Sequence, residues 1–294
     1  MGCDIHEHYE VKNEAGKWER LITRREELRD SLYGHNSDQE DEHRTQEEWD
    51  AMLNEMWEQP LYIRRNYGLF AILADVRNGR GFAGIPTGSG FEPISEPRGL
   101  PDGLSQEVLK ENATSHDPDD ESYEEWTQQA RSWVDKGYST ILQEEPLLVS
   151  CRDWHSHSWY TLKELLDYDW DAKTTTRRGV VCQSAYATWD RDKPGFPDSM
   201  SRMVSGAFVE HISEEEMQRR IKEGLPDAET AKREVNGEEM EGNVRFFCEV
   251  NFEMRYSDCC RHFVDKSLPF LKQYADEHLG GDYERLRFVF WFDN

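Results

Sequence analysis

Asp4, His6 and His8 recur at every second position in the opening stretch MGCDIHEHYEV, and side chains two apart on a strand share one face. Asp and His are ligands for divalent ions such as Zn, Mn or Mg. A second set stands in RDWHSHSW, where Asp153, His155 and His157 repeat the same register. If the two segments meet, Asp4, His6, His155 and His157 would complete one divalent-metal site whose bound water serves as nucleophile. The same His6, His155 and His157 could work without metal, as general acid and base on a phosphodiester. The bland alternative is an exposed strand edge that carries polar residues and no function. His8 is expected nearer the exposed end of the strand, which leaves Asp4 and His6 as the stronger pair.

Between residues 60 and 101 the local charge inverts. Five arginines, Arg64, Arg65, Arg77, Arg80 and Arg98, face three carboxylates, Asp75, Glu92 and Glu96, inside a chain of formal net charge -25. Arginine forks grip phosphate, and glycines let backbone N–H groups approach an anion. Arg65, Arg77, Asn78, Arg80 and Arg98 are therefore candidate ligand-binding residues for a small phosphorylated molecule. Pairing of these arginines with the acidic coat is the competing reading. No Walker A or G-x-G-x-x-G motif occurs.

Weaker signals resolve toward structure. The H-x-S triplets at His35 and His211 suggest a two-histidine phosphoesterase, but Ser213 reads better as a helix cap and His35 lies in an acidic loop. Six cysteines form no C-x-x-C pair, so reduced thiols packed in a core are expected. The run Phe288 to Phe292 reads as a strand buried on both faces rather than a base-stacking platform.

The elements that must position these residues are partly legible. Cys3, Ile5, Tyr9 and Val11 alternate with Asp4, His6, His8 and Glu10, and NEAGK then turns the strand into a hairpin with WERLI. Residues 26 to 58 read as an acidic loop followed by a surface helix closed at Pro60. NYGLFAILADVRNG reads as a helix with Leu69, Ile72, Leu73 and Val76 on one stripe and a stop at Asn-Gly. The glycine-rich stretch after it is an irregular, ordered loop. A helix ends near Gly137, a capping box joins Thr161 to Glu164, and Ser213 opens a charged helix followed by a polar linker to residue 242. Residues 244 to 252 alternate as a strand, 257 to 281 read as one helix ended by glycines, and RLRFVFWFDN closes as a strand.

With hairpins dominant and no βαβ rhythm, the expected fold class is α+β, a mostly antiparallel sheet with helices packed on it. One domain spanning 1–294 with acidic helical insertions is expected, with a subdivision near 140 to 150 as the alternative. The length allows a substantial core, and ten Trp are too much apolar bulk for a disordered acidic chain. Net charge -25 repels long nucleic acids, and no apolar run approaches a membrane span. A cytoplasmic protein with a small nucleotide-like ligand, no long nucleic acid and no membrane partner is expected.

The blocks MGCDIH, NYGLFAILADVRNGRGFAG, EPRGLP, HSHSW with TLKEL, and FVFWFDN together resemble an uncharacterised family of bacteriophage and prophage proteins. The resemblance implies synthesis in the cytoplasm of an infected bacterium and implies no particular reaction. DIH and ADVRNGRG are also loosely similar to the metal-binding blocks of calcineurin-like metallophosphoesterases. Ala74 stands where that family has Gly, Asn78 stands for its second Asp, and no G-N-H-[ED] block follows, so that fold is not assigned. The leading expectation is a phosphodiesterase, metal- or histidine-dependent, acting on a nucleotide or cyclic nucleotide signal. The alternatives are a non-catalytic sponge for such a signal that counters host defence, and an acidic DNA mimic that blocks a host protein.

Overall fold

The computed structural model describes residues 3–33, 44–61, 63, 65–195, 200, 201 and 203–293. His35 and Arg64 lie outside the described residues. The strands are β1 (Ile5–Lys12), β2 (Trp18–Arg20), β3 (Ala113–Thr114), β4 (Ile141–Gln143), β5 (Leu148–Ser150), β6 (His155–Thr161), β7 (Thr174–Cys182), β8 (Val209–His211), β9 (Ala228–Val235), β10 (Glu238–Arg255) and β11 (Leu286–Phe292). The helices are α1 (Arg24–Tyr33), α2 (Gln46–Glu58), α3 (Tyr67–Ala74), α4 (Gln106–Asn112), α5 (Tyr123–Asp135), α6 (Leu162–Asp167), α7 (Gln183–Thr188), α8 (Glu214–Lys222), α9 (Tyr256–Cys259) and α10 (Leu268–His278). The architecture is α+β, with antiparallel pairing throughout the described sheets except where β8 runs parallel to β10.

The first sheet has the order β2-β1-β11-β6 and carries both histidine segments. Its centre is the run LRFVFWF, in which every residue is buried. Alternation divides that run between two faces. Phe288, Phe290 and Phe292 join Cys3, Tyr9 and Tyr160 in the main core, under α3 and α10, and Tyr9 stacks on Phe288 at 5.0 Å between centroids. At roughly 1.5–3 kcal/mol per fully buried side chain, these three phenylalanines give β11 a central place in the sheet. Val289 and Trp291 face the other way, into a smaller cluster with Val108, Leu104 and Trp159.

That second face is where β1 puts His6, His8 and Glu10. It is covered by residues 99–105 and α4, and a buried ion pair fastens the cover. Arg287 donates to Glu10 at 2.7 Å and to the carbonyls of Asp102 and Gly103 at 3.1 and 3.2 Å, while Glu10 accepts from the Ser105 backbone N–H at 2.7 Å. Neither charge is left short of partners, which is the condition for burying them.

A second sheet, β7-β10-β8 with β9 on the far half of β10, has its own core of Val181, Val244, Phe246, Cys248, Val250 and Phe252. The glycine-rich loop docks on its β7 edge. Ser89 donates to the Thr176 carbonyl at 2.7 Å, and Arg178 donates to that of Thr87 at 3.1 Å. At Gly88, φ is 108°, and a Cβ would lie 2.3 Å from the Thr176 oxygen, so only glycine permits this approach.

Four local expectations are corrected. The acidic stretch after residue 23 holds α1, because Leu28 and Leu32 pack against Met56 of α2. The LFAIL helix is buried on every side and stops at Asp75, in the left-handed region at φ 58°, before Asn78-Gly79. Residues 228 to 242 form the β9–β10 hairpin, turned by Asn236-Gly237 with φ of 54° and 85°, instead of a polar linker. The 257–281 segment is interrupted, with a π turn at Phe263–Ser267 between α9 and α10.

Candidate active site

The two histidine segments meet on β11. His6 stands opposite Trp291 in the β1–β11 register, and His155 stands opposite Phe292 in the β11–β6 register. A bulge falls between Phe290 and Phe292, and Ser156 takes up φ 52° near it. Bulges re-aim side chains, and this one sits beside His157.

Asp293 completes the arrangement. Its Oδ1 accepts from the Asp4 backbone N–H at 2.8 Å, its own N–H donates to the Asp4 carbonyl at 3.2 Å, and its Oδ2 lies 3.3 Å from His6 Nε2. A carboxylate fixed by backbone bonds thus orients an imidazole. With Nε2 turned to Asp293, Nδ1 is the ring atom left for a ligand.

Trp291 is the hub of the surrounding rings. Its centroid lies 5.8 Å from that of His6, 4.7 Å from His8, 6.0 Å from His157 and 5.3 Å from Trp154, and Trp154 lies 4.9 Å from His6. Burial, and then the proximity of His155 and His6, pushes His157 down to about 4. It is uncharged at neutral pH, and its buried Nε2 has no hydrogen-bond partner among the described residues. His157 also lines a cavity of about 450 Å³ between residues 99–104 and the β4–β5 sheet. His155 Nδ1 lies 3.0 Å from Ser156 Oγ.

His8 is not at an exposed end, as alternation suggested. It is 1 % exposed beneath α4, and burial, with Arg20 and Arg29 nearby, pushes its imidazole down to about 3. Glu7, on the opposite face, is also buried and pairs with Arg25. Asp153 does not continue the register of His155 and His157, since it lies before β6 with its side chain 78 % exposed, beside Arg152.

Of the five candidate arginine-loop residues, Arg65 and Arg77 reach this end of the sheet. Arg65 forks onto both carboxylate oxygens of Asp4, one at 2.6 Å, and holds that carboxyl below its ordinary range. Arg77 hydrogen-bonds the buried Cys3 thiol, whose pKa burial raises. Asn78 clamps the loop instead: it donates to the Asp75 carboxylate and the Phe91 carbonyl and accepts from the Phe91 N–H, all within 2.6–2.7 Å. Arg80 is exposed in that loop. Arg98 is turned onto the Tyr160 ring, 4.4 Å from its centroid, and pairs with Glu164 at 2.8 Å.

Among the described residues no three His, Cys, Asp or Glu side chains are grouped to hold a metal ion. Asp4, needed for such a site, has both oxygens on Arg65, and His6 Nε2 faces Asp293. Both carboxylate oxygens of Asp4 and one ring nitrogen of His6 are thus already engaged within the protein.

Three members of the site were not assigned to it from sequence: Asp293, Trp154 and Trp291, the last read only as part of a buried strand. Asp293 could have been found only by pairing the DIH strand with FVFWFD, since 287 residues separate it from His6. No family model, no curated protein and no solved structure matches this chain.

Proposed function

We propose that this protein hydrolyses a phosphodiester in a small nucleotide-like ligand by histidine acid–base catalysis, in the bacteriophage setting that its sequence blocks suggest. The observation that carries the reading is the His6–Asp293 pair beside the uncharged His157, at the strand end reached by Arg65 and Arg77. His6 Nδ1 accepts a proton as water attacks phosphorus, and Asp293 stabilises the imidazolium. The new P–O bond forms as the ester P–O bond breaks on the opposite side of phosphorus, the leaving oxygen takes a proton from solvent water, and His6 then gives its proton back to solvent. His157, neutral, offers its one N–H donor to a phosphoryl oxygen. Arg65 opposes its charge by sharing its fork with Asp4.

The test is cleavage of linear and cyclic mono- and dinucleotides by the purified protein, followed by chromatography. Loss of a general base costs about 10²–10⁴-fold in kcat, so His6→Ala and Asp293→Asn should both drop into that range while ligand still binds. Ligand recovered intact after prolonged incubation, with affinity unchanged in His6→Ala, would establish binding without catalysis and remove the hydrolase reading.

A further inference from the structure

The cavity beside His157 differs in character from the strand end that holds the arginines. Leu100, Leu104, Leu109, Ile141 and Leu142 supply apolar walls, and Asp102 is the one formally charged side chain among its lining residues. A space of about 450 Å³ is of the size that holds a small-molecule ligand. The carboxylate disfavours a phosphate there. Asp102 is held in place through its backbone, since Arg287 bonds its carbonyl at 3.1 Å, while its exposed side chain takes no hydrogen bond among the described residues. Gly99 ties the same wall to β6 by donating to the His157 carbonyl at 2.8 Å. His157 is thus common to the cavity and to the imidazole group, and its Nε2 is a buried polar atom without a partner among the described residues.

A ligand matching this layout has a flat, uncharged head with N–H donors and an anionic tail. An ionised carboxylate only accepts hydrogen bonds. Guanine alone among the common bases presents two adjacent N–H donors on one edge, whereas the corresponding edges of adenine and cytosine set a ring-nitrogen acceptor beside the amine. We propose that this cavity is the recognition subsite for a guanine base, with Asp102 accepting from N1–H and N2–H and His157 marking the passage of the ligand toward His6. The inference rests on the reading of His6 and His157 as the reacting end, and it adds the identity of the base.

Calorimetric titration of the full chain with guanosine, adenosine and inorganic phosphate tests it. Guanosine should bind at least about tenfold more tightly than adenosine, the scale of one bidentate contact. Asp102→Asn should abolish that preference. Thr140→Trp, placed at an exposed position on the cavity wall, should block guanosine and leave phosphate binding unchanged. Equal binding of the two nucleosides, no binding of either, or an intact preference in Asp102→Asn overturns the proposal. Guanosine preference with no cleavage of any guanosine phosphodiester would sink the catalytic reading and leave the subsite standing. Cleavage without base preference would do the reverse.

Discussion

Two buried groups at adjacent positions of β1 oppose each other in their response to pH. His8 falls from 6.5 to about 3, so the unfolded chain binds more protons than the folded one between those values, and stability is lost as pH falls through that window. At about 1.4 kcal/mol per unit, the loss at this fully buried ring is on the order of 5 kcal/mol. His157, at about 4, adds to it from 6.5 downward. Glu7 runs the other way. Burial, only partly offset by Arg25, raises it to about 7, so its contribution is full below 4.5 and is lost as pH rises through 7. Chemical denaturation across pH 4 to 9 should therefore show a maximum between the two limbs. His8→Phe should flatten the acid limb, and Glu7→Gln the alkaline one; an acid limb unchanged in His8→Phe would contradict the assignment. At this scale the sequence was informative about which residue types share a face and silent about what covers that face. Alternation reads a polar side as a wet one, and His8 is dry because α4 lies on it.

The elements show where local rules sufficed. Thr161 and Glu164 form the capping box expected of them, with N–H···O distances of 2.9 and 3.2 Å, and Ser213 caps α8 at 3.2 Å. The alternation from Val244 to Phe252 is the buried face of β10. Asn-Gly between two polar runs is a strong hairpin signal, yet the charges of β9 concealed the strands, because both faces of that ribbon are largely exposed. The loop at residues 99–105 was readable only as irregular. What fixes it is the Glu10–Arg287 pair, which ties the loop to two distant strands, β1 and β11. Glu10→Gln leaves Arg287 buried without its counter-ion and should cost about 3–5 kcal/mol. The Ser105 amide, bonded to Glu10, should then lose protection in hydrogen exchange; unchanged protection would show that apolar packing of Leu104 and Val108 holds the loop by itself.

For the molecule as a whole, the first sheet depends on strands from the two ends of the described chain. β1 pairs with β11 over seven residues, from Ile5–Phe292 to Val11–Leu286, and contacts of such sequence separation slow folding because loop closure precedes any gain. Removing residues 286–293 takes away the centre of the sheet, Arg287 and Asp293 together. Such a chain should lack a cooperative melting transition for the main core; its persistence by circular dichroism would mean that the helices close over β1 and β6 without β11. The α+β class could be read from hairpins and periodicity, but nothing local records which strands are neighbours. During synthesis β1 emerges long before its partner, and its open edge must wait for about the whole length of the described chain to follow. A ribosome that stalls before residue 293 therefore leaves His6 without the Asp293 carboxylate, so the contact between the first strand and the last is made only after the last strand has been synthesised.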